Sequence, residues 1–402
     1  MKKLLFIGMS LNIGGAEKSL VNLLNMIDFT EYSVDLLLFQ KKGAFLQQIP
    51  PEVNIIEDKT VKVLFQSARD SIKQKKVSIR ILKLIVARYV STLINSLIWK
   101  QFDQIRLHRW SDCYKHIIPA CSAYYDVAVA YSGGDTAYYM VDKVNAKRKI
   151  YYFHSDYSQI DIDAKLEKIY VDRADLVVTI SEKCKESLIK LFPEKKNEII
   201  VLNNLSSPIF IQKLAKEYIP SEFDVPEGVL KITSVGRLIH IKGFDIAVEV
   251  AKILKVKGVK FCWVVVGEGE ERNTIEKKIN KYGLEKNFIL VGQKKNPYPY
   301  ILNADLLLQT SRFEGKSVVL DEAKILEVPA IVTDYNSAHD QIKNGVDGFI
   351  VEMNQCSIAN KICECAENRE IINKIKKGIR INEEIQNIDR YMRCLVEDNF
   401  YY

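Results

Sequence analysis

Several things are scarce in this chain of 402 residues, and each scarcity closes a class of protein. Glycine and proline number only 18 and 10, which excludes collagen-like repeats and long disordered stretches. The eight cysteines are scattered and include no CxxC pair; Cys363 and Cys365 form a lone CxC, too little for a zinc site. They read as buried reduced thiols and point to a reducing cytosol. No run of about 18 uncharged apolar residues occurs, so no membrane span is expected. The start, Met1 to Met9, imitates a secretion signal, but its apolar run is short and a Gly-rich turn follows it. A buried first strand fits better.

What is present is ordinary in bulk and uneven in placement. Hydrophobic residues make up 48% and charged ones 27%, enough to build large cores, and the length suits two or three domains of about 100–200 residues. The net charge is +7, and all of the excess lies in the first half: residues 1–200 hold 30 basic and 23 acidic groups, residues 201–402 hold 28 of each. Residues 59–115 alone hold 13 basic and 3 acidic groups, a patch that seeks an anionic partner.

Short β-branched and aromatic runs alternate with helical stretches twice along the chain. The first series is 3–8, 34–39, 53–56, 127–131, 149–153, 176–180 and 199–202; the second is 231–236, 261–267, 288–291, 306–309, 330–333 and 349–351. Helices are expected over 244–257, 273–282 and 318–326, and the pattern predicts two parallel sheets covered on both faces. Residues 206–227, polar and carrying Pro208, Pro220 and Pro226, read as a linker. The domains are therefore set at 1–207, with a basic helical insertion at about 59–125, at 208–385, and at 386–402, a C-terminal helix able to pack back on the first domain. Two doubly wound domains facing each other would bring the C-terminal strand ends to one cleft, where ligands of open α/β sheets bind. Within the insertion, 77–99 has Ile81, Leu82, Ile85, Val86, Tyr89 and Leu93 on one helical face. Arg80, Lys83, Arg88, Ser91 and Asn95 lie on the other. This helix either lies on anionic lipid or packs in the core with a solvated basic face. On the first alternative Lys73, Lys75, Lys76, Arg80, Lys83 and Arg88 face the membrane.

Three constellations carry chemistry. Gly14-Gly15-Ala16-Glu17-Lys18 follows the first strand, where a Gly-rich turn lets backbone N–H groups approach an anion. Gly236-Arg237 and Lys242-Gly243 flank the corresponding turn of the second domain; a guanidinium fork and a mobile ammonium suit a diphosphate. Arg312-Phe313-Glu314-Gly315-Lys316-Ser317-Val318-Val319-Leu320-Asp321-Glu322-Ala323 runs from a strand through Gly315 into a helix. Its two glutamates, Glu314 at the loop lip and Glu322 two turns on, are expected to face the same cleft, and a carboxylate there can accept both hydroxyls of a ribose or hexose diol. Asp161-Ile162-Asp163 reads as surface, and His108, His116, His240 and His339 share no metal-ligand spacing.

The motif Glu-x7-Glu at 314–322, with Gly236-Arg237, Lys242-Gly243, Val266-Gly267-Glu268-Gly269 and Gly14-Gly15-Ala16-Glu17, resembles glycosyltransferase family 4. The runs Val328 to Asp334 and Asn344 to Gly348 add to the resemblance, which is strongest over 230–352. It implies the GT-B architecture, two Rossmann-like domains about a cleft, and retaining chemistry without a metal or other cofactor. By resemblance Arg237 and Lys242 would bind the donor diphosphate, Glu322 the ribose, and Glu314 the donor hexose near the reacting carbon. The backbone of Gly315, Lys316, Ser317 and Val318 would contact sugar and phosphate, Gly15 would approach the diphosphate, and Gln293 and Lys294 would lie at the base. His154, ending a first-domain strand, would touch the donor sugar; whether it also takes a proton stays open, because retention can proceed by front-face attack. Lys316-Ser317 stand where many members have aromatic-glycine, so the hexose cannot be read from relatives.

The expected activity is transfer of a hexose or N-acetylhexosamine from a UDP-sugar to a lipid-linked glycan acceptor in bacterial capsule or exopolysaccharide synthesis. The expected location is cytoplasmic and peripheral at the inner face of the membrane, with no nucleic-acid partner. Transfer to protein Ser/Thr or teichoic acid is the alternative within enzymes, and a non-catalytic glycan- or nucleotide-binding partner subunit is the alternative outside them.

Overall fold

The computed structural model describes residues 1–12, 14–65, 79–99, 102–154, 163–381 and 387–397. It divides into two units: Met1–Leu205 with Asn387–Tyr402, and Ser206–Gln386.

Unit 1 holds seven parallel strands, β1 (Lys2–Gly8), β2 (Tyr32–Leu38), β3 (Asn54–Ile56), β4 (Tyr124–Ala130), β5 (Asn145–Phe153), β6 (Leu176–Thr179) and β7 (Ile199–Val201). They stand in the order β3-β2-β1-β4-β5-β6-β7. Leu4 pairs with Val34 on one side and Val127 on the other, so β1 is central. Its continuous apolar run is what a strand covered on both faces requires. Between β3 and β4 come helices at Lys59–Phe65, Ile79–Ile98 and Phe102–Arg109, then a π-helical turn at Trp110–Tyr114. Trp110 and Tyr114 are fully buried. The Tyr114 ring meets Phe65 edge-on at 5.4 Å, and the Trp110 indole N–H donates to Asp142 at 3.1 Å, so the insertion completes the core of this unit. The C-terminal helix Ile388–Val396 belongs to unit 1 as well. Its buried Tyr391 shares hydroxyl hydrogen bonds with Tyr152 at 2.6 Å and Tyr131 at 3.5 Å.

Unit 2 holds six parallel strands, β8 (Leu230–Val235), β9 (Phe261–Val266), β10 (Phe288–Leu290), β11 (Leu306–Gln309), β12 (Ala330–Thr333) and β13 (Gly348–Val351). Their order is β10-β9-β8-β11-β12-β13, with Ile232 paired to Trp263 and Leu306. Both units are thus doubly wound α/β sheets, as the alternation of runs predicts.

Two expectations change. Residues 206–227 are not a linker: they form the helix Pro208–Ala215 and a short turn at Ser221–Phe223, and Ile211 and Phe223 are buried in unit 2. The Ser207 hydroxyl caps the helix by accepting the Phe210 N–H, and Pro208 occupies the first turn, where a missing N–H costs nothing. In the Ile79–Ile98 helix it is the core-packed alternative that fails: the side carrying Ser91 and Asn95 packs inward, and most of the apolar side faces outward. Ser91 and Asn95 are buried, each bonding its own helix backbone, at Arg88 O and Ser91 O, so neither needs solvent. Leu82, Val86 and Leu93 are exposed instead, while Leu84 and Ile85 are buried. Lys83 stays exposed and Arg88 is half-buried. Lys73, Lys75 and Lys76 lie outside the described residues, as do the side chains of Arg80 and Ile81.

Candidate functional site

The strand order reverses direction of winding between β8 and β11, and ligands of open α/β sheets sit beyond the strand ends at such a point. Both second-domain constellations leave the sheet there. After β8 the chain runs through Gly236 and Arg237 into a turn at His240–Lys242, and then into the helix Phe244–Val256. After β11 it runs through Thr310 to Ser317 into the helix Val318–Ile325.

Close backbone contacts lock these turns. Gly243 has φ +66°, and a Cβ there would stand 2.0 Å from Thr310 O, so the left-handed turn and the approach both demand glycine. Gly267 lies so near β8 that a Cβ would stand 1.8 Å from Gly236 O. Arg312 joins the two loops: its guanidinium donates to both Asp245 oxygens at 2.8 and 2.7 Å and to His240 O at 2.6 Å. Burial alone would raise the Asp245 carboxyl, but the hydrogen bonds and charge of Arg312 outweigh it and hold the group below its usual range.

This frame brings Lys242 to Glu314. Lys242 Nζ donates to Glu314 Oε1 at 2.5 Å, and the same oxygen accepts from Gln309 Nε2 at 2.7 Å and Ser311 Oγ at 2.6 Å. Three donors on one oxygen fix the carboxylate in place. Arg237, by contrast, is exposed and has no ion-pair partner among the described residues. Gly315 borders open space, with nothing within 4 Å of the point a Cβ would occupy. Lys316 and Val318 are half-buried. Lys242 and Glu314 thus meet across the ends of β8 and β11, Gly315 follows Glu314, and Arg237 leaves the end of β8 two residues after it. Gln293 is exposed beyond β10, and the Lys294 ammonium stands 5.9 Å from the Tyr300 ring centroid.

Two residues differ from expectation. The Ser317 N–H is already engaged: Gln341 Oε1 accepts it at 2.7 Å while Gln341 Nε2 donates to Ser317 O at 2.8 Å. It is therefore not open to a phosphate. Glu322 does not face an opening but is wholly buried, with the Tyr298 hydroxyl donating to Oε1 at 3.5 Å. Burial, reinforced by the Glu322 charge, holds that phenol well above its ordinary pKa. Leu320, Asp321, Glu322, Ala323 and Ile325 are all buried, so this helix is covered nearly all round and Glu322 with it.

Sequence reasoning missed the supports of Glu314. Ser337 Oγ donates to Glu314 O at 2.9 Å, and Gln341 also reaches Asp321 at 3.3 Å. Burial raises the Asp321 carboxyl above its ordinary pKa. Only Gln309 and Ser311, five and three residues before Glu314, carried a local signal.

In unit 1 the corresponding point lies between β1 and β4. A shallow pocket there is lined by Gly8, Ser10, Ala16, Glu17, Tyr131 and Ser132. Gly15 starts the helix Gly15–Leu24 beside it and is exposed, with open space around it. His154 follows β5, its ring stacked on Tyr152 at 4.7 Å and tilted against Tyr131 at 4.9 Å. Both ring nitrogens are buried. Burial drops the imidazole pKa to about 4, so it is neutral at pH 7. Of the Asp161 and Asp163 pair, Asp161 lies outside the described residues; Asp163 caps the helix Ala164–Asp172, accepting from Lys165 and Leu166 N–H. No metal-binding cluster of His, Cys, Asp and Glu occurs among the described residues.

Comparison with known proteins agrees with this architecture. The sequence is 30% identical over 207 residues to the capsular polysaccharide biosynthesis glycosyltransferase CapM of Staphylococcus aureus, covering 49% of this chain and 53% of CapM. It is 28% identical over 241 residues to an Escherichia coli UDP-Gal:alpha-D-GlcNAc-diphosphoundecaprenol alpha-1,3-galactosyltransferase, covering 53% and 62%. The chain spans about half the length of the curated relatives it matches. The crystal structure of Anabaena HepE with UDP and glucose superposes with a TM-score of 0.63 at 18% identity, covering 98% of this chain and 99% of HepE. That likeness shows a shared fold, two parallel-sheet Rossmann-like domains of the GT-B kind. The family match falls where the geometry gathers the cations and the carboxylate: residues 215–381 match the family described as Glycosyl transferases group 1.

Proposed function

We propose that this chain is a retaining glycosyltransferase of bacterial surface polysaccharide synthesis that takes its sugar from a UDP-sugar. The observation that carries the reading is the Lys242–Glu314 pair across the ends of β8 and β11, with the exposed Arg237 two residues past the end of β8. Two cations there suit a diphosphate, and a carboxylate beside them suits sugar hydroxyls. In the reaction the bond from the anomeric carbon to the diphosphate oxygen breaks, and a bond to the acceptor hydroxyl oxygen forms. The acceptor proton passes to the departing phosphate. Arg237 and Lys242 offset the charge that develops on the leaving UDP, the kind of electrostatic help that carries much of catalysis. A neutral His154 can share a hydrogen bond with a sugar, but at a pKa of about 4 it is a weak proton acceptor at pH 7.

The acceptor in this reading is a lipid-linked glycan, and the protein works at the membrane's inner face without a metal. The names of the two curated relatives and the excess of basic residues over 59–115 support it. The test is UDP release from a panel of UDP-sugars, with and without EDTA, using membrane extract as acceptor source. Release from one sugar, insensitive to EDTA and lost in Arg237→Ala and Lys242→Ala, is expected. Unchanged turnover and UDP affinity in both variants would sink this site, and no release with any nucleotide sugar would turn the reading toward a binding subunit.

A further inference from the structure

The Ile79–Ile98 helix turns its apolar side outward. Leu82, Val86, Val90, Leu93, Ile94 and Leu97 are 49% to 79% exposed. At 100° per residue they form one continuous stripe along the helix. The opposite side, with Leu84, Ile85, Ser91 and Asn95, is the one buried in unit 1. A helix folded for water alone would do the reverse, because each exposed leucine forgoes the gain of leaving water. Twenty residues span about 30 Å. Yet no described helix is long and apolar enough to cross a membrane.

Charge decides what covers this stripe. From Ser71 to Phe102 the sequence holds Lys73, Lys75, Lys76, Arg80, Lys83, Arg88 and Lys100 and no acidic residue. A second copy docking on the same stripe would bring two such cationic stretches together, at an electrostatic cost. The preceding residues 66–78 hold only Ala68, Ile72 and Val77 as apolar groups, too few to cover the stripe. A layer with an apolar interior and anionic headgroups matches both features at once.

We infer that the helix lies flat in the headgroup boundary of an anionic bilayer with Leu82, Val86, Val90, Leu93, Ile94 and Leu97 seated among the acyl chains, so that apolar burial holds the protein there and charge only brings it. This deepens the membrane part of the proposed function and rests on it, but it is independent of the donor site.

The experiment is co-sedimentation with phosphatidylcholine vesicles containing phosphatidylglycerol, at about 0.1 and about 0.5 M NaCl, for the wild type and the double variant Leu93→Ser, Leu97→Ser. Each leucine removed from an apolar seat costs roughly tenfold in partitioning. The expected result is wild type retained in the high salt and the variant released by well over tenfold, with UDP binding and melting temperature unchanged. Screening weakens surface charge contacts at that ionic strength, so retention there reads the apolar part. Binding lost equally by both proteins in high salt would overturn the apolar seat while leaving the peripheral membrane reading intact. No binding at either salt would overturn both, and concentration-dependent dimers abolished in the variant would assign the stripe to a second copy.

Discussion

Replacing Lys242 with methionine separates the two jobs the lysine is given. In the structure its ammonium stands 2.5 Å from Glu314 Oε1, with the lysine side chain 25% and the glutamate side chain 9% exposed. Stripping one partner from a fully buried ion pair costs about 3–5 kcal/mol. The lysine here keeps access to solvent, and Gln309 and Ser311 still donate to the stranded oxygen, so about 1–2 kcal/mol is the better expectation. For a domain of this size each kcal/mol moves the midpoint by about 2–4 °C, which gives a fall of about 2–8 °C. If the ammonium also meets a diphosphate, a lost charge-assisted hydrogen bond of about 1.5–3 kcal/mol weakens UDP binding by roughly 10- to 150-fold. Calorimetric melting and UDP titration measure the two effects on one sample. Glu314→Gln is the control, since its amide oxygen still accepts from Lys242 and Ser311; it is expected to leave UDP affinity within about threefold. Lys242→Met that melts early but binds UDP like the wild type would refute the diphosphate assignment and leave Lys242 as an anchor for Glu314.

Three other perturbations follow from the geometry. Gly267→Ala places a Cβ against Gly236 O, a backbone atom that cannot swing away, and is expected to cost about 3 kcal/mol in a urea melt. His154 has a folded pKa of about 4 against about 6.5 unfolded, so the unfolded chain binds the extra proton; stability falls as pH drops from about 6.5 toward 4 and is unaffected by this group above that window. Melting from about pH 4 to 8 tests this, and a His154→Phe variant, which keeps the ring stack, should lose that part of the slope. Tyr391→Phe removes the 2.6 Å hydrogen bond to Tyr152 and is expected to cost about 1 kcal/mol, with amide-exchange protection lowered in β4 and β5 but unchanged in β8 to β13.

The sheets were legible because their signal is local. Runs such as Phe261 to Val266 are apolar at every position, and a strand covered on both faces needs nothing else to be recognised. The glycine turns were legible for the same reason, as steric demands written into one residue. Side-chain partners were not. Gln341 reaches Ser317 from 24 positions away and Arg312 reaches Asp245 from 67, and nothing in either neighbourhood marks the contact. Which side of the Ile79–Ile98 helix packs inward was open in the sequence for a subtler reason: Ser91 and Asn95 look solvent-seeking but satisfy themselves on their own backbone. Polarity of a residue type is an average, and here the local hydrogen bond decides.

Because Asn387–Tyr402 completes the unit that Met1–Leu205 begins, unit 2 is in effect inserted into unit 1. On the ribosome the first 205 residues emerge early, yet Tyr131 and Tyr152 wait for Tyr391 until the whole second unit has been made. At about 5–20 residues per second that interval is on the order of ten seconds or more. Through it the first sheet must stand with the seat of its last helix uncovered, open to chaperones and to premature association. The second unit meets no such delay, since all its strands arrive in one stretch. The order of synthesis thus favours completing unit 2 before the final helix of unit 1 settles.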